Sequence, residues 1–476
     1  MRGPDDLREG QNLIADHVYE RDGGLVIAPM GAGKTVSFLT AFADLVRDGL
    51  IDRMVVLAPP KVAAQVWPRE PGKWSHLKDI EVFDGTGGPA ERHMAMWRWA
   101  KSNGILTLSL ANAKAVLEEL AAYDVSRTLL LIDEISALKA PTGAQAKAVE
   151  AAAPRFWAVW GTTGTPRPNG WEDLFRPVRI VTKGVVWGGT SFTDWRRDHF
   201  RPMDMKGYQW RIHTFAVRQF EQDIADVAFN VPDEHSHELP ELRAGPDFDI
   251  IVELPDRARA EYSRMERDLL AKIESDLVKG LSEEERAEAI VVALSKAVAS
   301  AKMEQIVQGY IYEDGQTLAR LHRVKQDALA EMLQANGAEP VVVTYRFKED
   351  LEAIREVWGK SFPVLGDGAT AAQAKRHIEA FSRGDVPLLG LHPASAGHGV
   401  DGLQQGGRRM IWYCPIWSAE QYDQTVKRLH RPGQTLPTYS HRIVAKDTVD
   451  EVKIARVLGK MAEQAAFIAL RRRVGQ

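Results

Sequence analysis

Short apolar runs alternate with segments of helical period twice along this chain, and that doubled rhythm restricts the fold more than any other feature of its 476 residues. In the first stretch, strands are predicted over Leu25–Ala28, Met54–Ala58, Ile80–Phe83, Gly104–Ser109, Leu129–Ile132 and Phe156–Trp160. Helices are predicted around them, over Leu7–Tyr19, Val36–Val46, Lys61–Trp67, Glu91–Lys101, Ala113–Ala122 and Gly143–Ala153. A run such as Leu129–Ile132, apolar at every position, suits a strand covered on both faces. Strands separated by helices imply a mostly parallel sheet.

The second alternation is predicted to start at Pro340, with strands over Val341–Tyr345, Phe362–Leu365, Val386–His392, Met410–Cys414 and Tyr439–Val444. Its helices fall over Glu349–Trp358, Ala371–Arg383, Ser418–Leu429 and Val449–Arg471. Between the two stretches, the polar segment Glu234–Pro246, with His235 and His237, reads as a connector. Phe248–Leu254 reads as a strand, and Ala258–Val278, Ser282–Ala301 and Thr317–Ala335 as packing helices. The expected architecture is α/β: two P-loop-type lobes with parallel sheets, at 1–235 and 336–476, with a connector and helical insertion at 236–335.

Hydrophobic content of 45% and charged content of 26% fit a globular enzyme rather than a disordered chain. The single cysteine, Cys414, excludes an internal disulfide and a four-thiolate metal site, and fits a reducing, cytoplasmic setting. Met1–Gly10 lacks the apolar core of a secretory signal. Ala289–Ala299 is too short to span a bilayer and is broken by Ser295 and Lys296, so no membrane partner is expected. The net charge of −4 does not advertise a nucleic-acid partner, although a groove needs only a local field.

Two motifs carry the chemistry. Gly31-Ala32-Gly33-Lys34-Thr35, between a predicted strand and a predicted helix, is the core of a phosphate-binding loop. Gly31 and Gly33 let successive N–H groups turn toward an anion, and the following helix adds its positive end. Lys34 is expected on the β- and γ-phosphates of ATP, and Thr35 on Mg²⁺. Ala28 stands where the strict pattern has its first glycine. The second motif is Asp133-Glu134, at the tip of Leu129–Ile132: one carboxylate for the metal's water shell, its neighbour to polarise the attacking water. Arg8 and Gln11, some twenty residues before the loop, are further candidates for the adenine or its ribose.

These blocks, with others, resemble the superfamily-2 helicases and, among them, the SWI/SNF-type DNA-translocating ATPases. Leu7-Arg8-Glu9-Gly10-Gln11 is similar to the family's adenine-reading motif, Ala28–Thr35 to motif I, Val55–Pro60 to motif Ia and Leu130–Ile135 to motif II. Ser136 stands where a histidine often closes motif II and links it to motif III. Gly164-Thr165-Pro166 with Asn169 and Trp171–Phe175 resembles motif III and its extension, in which Thr163 and Thr165 would transmit nucleotide state. Ser395–Leu403 resembles motif V, with Ser395, Gly397, Gly399 and Asp401 as coupling positions. Gln424, Arg428, Arg431, Gly433 and Gln434 follow motif VI in its remodeller-like spacing.

The resemblance implies two RecA-like lobes with nucleic acid across both. It implies arginine fingers, Arg428 and Arg431, supported by Gln424 and reaching the γ-phosphate from the second lobe. It implies ATP and Mg²⁺ as cofactors, duplex DNA as the favoured partner, and translocation rather than strand separation. Two other readings stay open: a strand-separating DNA or RNA helicase, and a nucleotide-gated subunit whose protein partner supplies specificity. A degenerate scaffold would have no need of Lys34, Thr35, Asp133, Glu134, Arg428 and Arg431 together.

Overall fold

A computed structural model describes residues 1–28, 31–164, 166, 170–207, 209–232, 247–282, 285, 289–290, 292–294, 298–313, 317–359, 362–366, 368–396, 402–431 and 434–459. The connector with His235 and His237, the coupling candidates Thr165, Gly397, Gly399 and Asp401, and the end of the expected C-terminal helix lie outside the described residues. Within them, residues 1–199 and 212–232 form one compact unit, and 200–211 and 247–459 another.

The first unit is built on seven parallel strands: β1 Gly23–Ile27, β2 Arg53–Ala58, β3 Val82–Asp84, β4 Ile105–Ser109, β5 Thr128–Asp133, β6 Ala158–Thr163 and β9 Ala228–Asn230. Their spatial order is β3-β4-β2-β5-β6-β1-β9. Alternate side chains serve two apolar layers, one on each face of the sheet. Leu130 and Ile132 join Leu25, Val55, Leu57 and Leu106 on one side. Leu129 and Leu131 join Val26, Met54, Val56 and Trp160 on the other. Burial of both faces is why these strands read as unbroken apolar runs. Register then aligns the strand ends that matter: Leu57 faces Ile132, Asp133 faces Thr162, and Ile27 faces Thr163.

The second unit carries six parallel strands: β10 Phe248–Val252, β13 Val341–Thr344, β14 Val364–Leu365, β15 Leu388–Leu391, β16 Arg409–Trp412 and β17 Tyr439–Ala445. Their order is β10-β17-β16-β13-β15-β14. The sheet therefore begins at Phe248, well before the expected Pro340, because β10 pairs along its length with β17. Two further pairs stand apart from the large sheets: β7 Phe200–Pro202 with β8 Trp210–Ile212, and β11 Tyr310–Glu313 with β12 Thr317–Arg320. The last corrects the helix expected over Thr317–Ala335. Its first residues pair antiparallel with β11, Tyr310 opposite Arg320, and the helix runs over Val324–Asn336.

Helices Asp256–Asp276 and Val298–Gln308 close an apolar cluster containing Leu254, Tyr262, Ile306, Ala445 and Val449. Beside it runs a buried ionic chain. Lys325 Nζ lies 2.5 Å from Asp450 Oδ2, and Lys453 Nζ lies 3.1 Å from Glu304 Oε2 and 3.7 Å from Asp450 Oδ1. Arg346 Nη1 lies 2.5 Å from Glu304 Oε2, and Trp417 Nε1 donates to Glu304 Oε1 at 2.8 Å. These bonds join the helix Val298–Gln308, the turn after β13 and the helical residues 449–459. Cys414 is buried nearby, and burial pushes its thiol up to about 12, which keeps it protonated at neutral pH.

Candidate nucleotide site

Strand β1 delivers the chain to Ala28, and the helix Lys34–Arg47 receives it after the glycine loop. Gly33 caps that helix with φ +86°, in the left-handed region that side chains avoid. A Cβ there would also overlap the end of the Gln11 side chain, which would have to shift. Arg8 Nη2 donates to Gly31 O at 3.1 Å and Ala32 O at 2.8 Å. Gln11 Oε1 accepts the Arg8 N–H at 2.9 Å, closing the first turn of the helix Glu9–Glu20. Arg8 and Gln11 are thus brought onto the loop, one holding its carbonyls and the other packed beneath its last glycine. Lys34 Nζ donates to Ala28 O at 2.8 Å, folding its ammonium back over the loop. Thr35 follows in the first turn of the helix, partly exposed.

The carboxylates sit at the same edge of the sheet, at the end of β5. Thr162 Oγ1 donates to Asp133 Oδ1 at 2.9 Å, and Trp67 Nε1 donates to Asp133 Oδ2 at 3.1 Å. Glu134 turns out of the strand with φ +70°, an uncommon conformation for a residue with a side chain. Its Oε1 accepts from Ser136 Oγ at 2.5 Å and from Thr163 Oγ1 at 2.8 Å. The neighbouring hydroxyls of β6 are thereby divided, Thr162 to Asp133 and Thr163 to Glu134. Ser136, in the place where the family often has histidine, bonds back to Glu134, and Thr163 reaches that carboxylate directly. Desolvation holds the Glu134 carboxyl above the usual carboxylate range, against the opposing pull of the Ser136 hydroxyl, the Lys34 ammonium and the Thr163 hydroxyl.

The remaining candidates belong to the second unit. Gln424 lies on the helix Ala419–Val426, where its Nε2 donates to Glu420 Oε1 at 3.3 Å. That helix ends sooner than the expected Ser418–Leu429, so Arg428 falls in the turn beyond it, with its N–H on Thr425 O, rather than on a shared helical face with Gln424. Arg428 is buried and Arg431 partly exposed. Trp417 and Tyr422 serve packing: Tyr422 stacks on Trp412 at 4.5 Å and bonds Asp247 at 3.1 Å. Ser395 lies on the short helix Pro393–Ala396. Trp67 is the site neighbour that sequence reasoning missed, since nothing local distinguishes it from twelve other tryptophans.

The residues fit ATP and Mg²⁺. The glycine loop and a helix N-terminus offer N–H groups to phosphates, with an ammonium beside them. Thr35 and Asp133 are oxygen donors, as a hard divalent cation requires. Among the described residues, no group of three or more His, Cys, Asp or Glu side chains gathers as a metal site. No described helix is long and apolar enough to cross a membrane.

Known proteins resemble this chain at three levels: a family domain, whole sequences and solved structures. Residues 9–240 match the model of the SNF2-related domain. Protein p41 of the Acyrthosiphon pisum secondary endosymbiont phage 1 is 32% identical over 98% of this chain and 98% of its own. The DNA repair and recombination protein RDH54 of Saccharomyces cerevisiae is 22% identical over 98% of this chain, which spans only 54% of that relative. Among solved structures, the Sulfolobus solfataricus SWI2/SNF2 ATPase core in complex with dsDNA aligns with 98% of this chain and 95% of its own, at 18% identity and a TM-score of 0.42. By its full-length likeness to p41 and the domain match across its first unit, the chain belongs to the SNF2-related, superfamily-2 helicase-like ATPases.

Proposed function

We propose that this chain hydrolyses ATP when stimulated by duplex DNA and uses the energy to move along the duplex without separating its strands. The observation that carries the reading is the convergence of Lys34, Asp133 and Glu134 at one edge of the parallel sheet, with Thr162 and Thr163 each holding one carboxylate. Bound Mg²⁺ would draw charge from the phosphoryl oxygens. Lys34 and the loop N–H groups hold the phosphates, Thr35 and Asp133 hold the cation's shell, and Glu134 orients the water for in-line attack. Arg428 and Arg431 are assigned the charge that builds on the γ-phosphoryl group, with Gln424 in support. Thr163 ties Glu134 to motif III, and Thr165, Ser395, Gly397, Gly399 and Asp401 are assigned to coupling. The loops after Ala58 and Leu108 are assigned to phosphate contacts, which position a duplex without reading its sequence. The likeness to a yeast DNA repair and recombination protein supports DNA as the polymer.

The test measures ATP turnover in parallel with no polymer, single-stranded DNA, duplex DNA and RNA. Duplex DNA should stimulate most. Lys34→Ala should lower turnover about 100-fold under every condition, through lost phosphate stabilisation, with an unchanged circular dichroism spectrum. Unaltered turnover in that variant would remove the nucleotide site from this loop. Displacement of a triplex strand without release of a labelled fork strand is the expected signature of translocation; fork release would replace it with unwinding.

A further inference from the structure

Asp133 receives two donors on two different oxygens, and one comes from a distant segment. Thr162 is the cross-strand partner of Asp133 and its hydroxyl reaches Oδ1. Trp67 lies 66 positions away, beyond β2, and its indole N–H reaches Oδ2 at 3.1 Å. The ring is 1% exposed and packs in the same apolar layer as Met54, Val56 and Leu131. A buried indole N–H usually finds a partner, and the one Trp67 has is the carboxylate assigned to the metal's shell. Its placement is fixed by its own segment, since the Trp67 N–H bonds to Val62 O at 3.2 Å at the end of the helix Pro60–Gln65.

Each carboxylate oxygen has two lone-pair directions. A donor on each oxygen fixes the plane of the group and still leaves one direction per oxygen for a cation or its waters. We infer that Trp67 is a positioning residue for Asp133: its indole N–H, opposite the Thr162 hydroxyl, sets the carboxylate plane that Mg²⁺ meets. The inference rests on the nucleotide-site reading above. Outer donors of this kind orient metal-binding side chains, and their loss typically costs 10–100-fold in metal affinity.

The test is Trp67→Phe in the full chain, which keeps an apolar aromatic ring, smaller than the indole, and removes the donor. Binding of a non-hydrolysable ATP analogue is followed by calorimetry, in EDTA and across a Mg²⁺ titration. The expected result is unchanged affinity in EDTA and a Mg²⁺ half-saturation raised roughly 10-fold or more. In turnover, kcat at limiting Mg²⁺ should fall and recover in part at high Mg²⁺. An identical Mg²⁺ half-saturation in variant and parent overturns the inference while leaving the nucleotide site in place. A parent chain that binds no analogue under either condition overturns the site reading and this inference with it. Should Trp67→Phe lose its thermal transition, hydrogen exchange in the parent decides. Protection of the 59–67 backbone that appears with Mg²⁺ and analogue, and not with analogue alone, supports the role; its absence overturns it.

Discussion

Glu134→Gln should bind ATP and turn it over about 1,000-fold more slowly, within the range that a positioned general base contributes. Ser136 and Thr163 both donate to Oε1, so the carboxylate is held by one oxygen while the other is left to meet a water. Glutamine preserves an acceptor for the two hydroxyls and removes the charge that polarises the water. Calorimetry should therefore show ATP affinity close to that of the parent, while single-turnover cleavage stalls. Rapid turnover in the variant would contradict the role.

The same substitution has a signed effect on stability. The folded-state pKa of Glu134 is raised, chiefly by desolvation. A group raised in this way contributes stability that is complete below its unfolded pKa and lost as pH rises through its folded pKa. Above its folded pKa the parent has lost that contribution and carries a poorly solvated charge. Glu134→Gln should accordingly melt higher than the parent on the alkaline side of that folded pKa, and the gap should close on acidification. A gap that widens on acidification would show that the protein field favours the charged form. The acid limb of the parent's turnover profile should lie above the ordinary glutamate range and be absent from the variant's residual activity.

Lys325→Met should destabilise the second unit by about 3–5 kcal/mol, the usual cost of orphaning one partner of a buried pair. Neither Lys325 nor Asp450 has an exposed side chain, and their contact is 2.5 Å long. Asp450 also accepts the Ala445 N–H, and Lys453 lies 3.7 Å from its other oxygen. That neighbour is engaged with Glu304 at 3.1 Å, so it compensates the stranded carboxylate only in part. Replacing both partners, as Lys325→Met with Asp450→Leu, should recover most of the loss, because the desolvated charge disappears with its counterion. Urea denaturation followed by circular dichroism measures both. A single variant within 1 kcal/mol of the parent would mean that water or a rearranged Lys453 replaces the pair.

The strands of the first sheet were legible because they are covered on both faces. Leu129–Ile132 had to be apolar throughout, and a run of that kind stands out against its surroundings. The glycine loop was legible for a different reason, since a backbone turn around phosphates tolerates few residue types and keeps them contiguous. Strand β10 was recognised as a strand but not as part of the second sheet. It is an edge strand, its Phe248 and Ile251 largely exposed, and its partner β17 begins 191 residues after it. Thr317–Arg320 was read as the start of a helix because a four-residue strand carries too few positions to fix a period. Arg428 lies beyond the helix expected to hold it because that helix stops at Val426, and helix ends are set by local capping rather than by the periodicity that announces a helix.

What the amino-acid order by itself determined is the chemistry that contiguous residues can state. It specified a phosphate loop between strand and helix, two carboxylates at a strand tip, and an apolar rhythm repeated in two regions. Only the tertiary structure decided which hydroxyl holds which carboxylate, that an indole 66 positions away pins Asp133, and that Lys325 and Asp450 meet 125 positions apart. The reason is physical. Backbone geometry and burial leave periodic marks in a sequence, whereas a hydrogen bond between distant side chains depends on the register of strands and the packing of the segments between them.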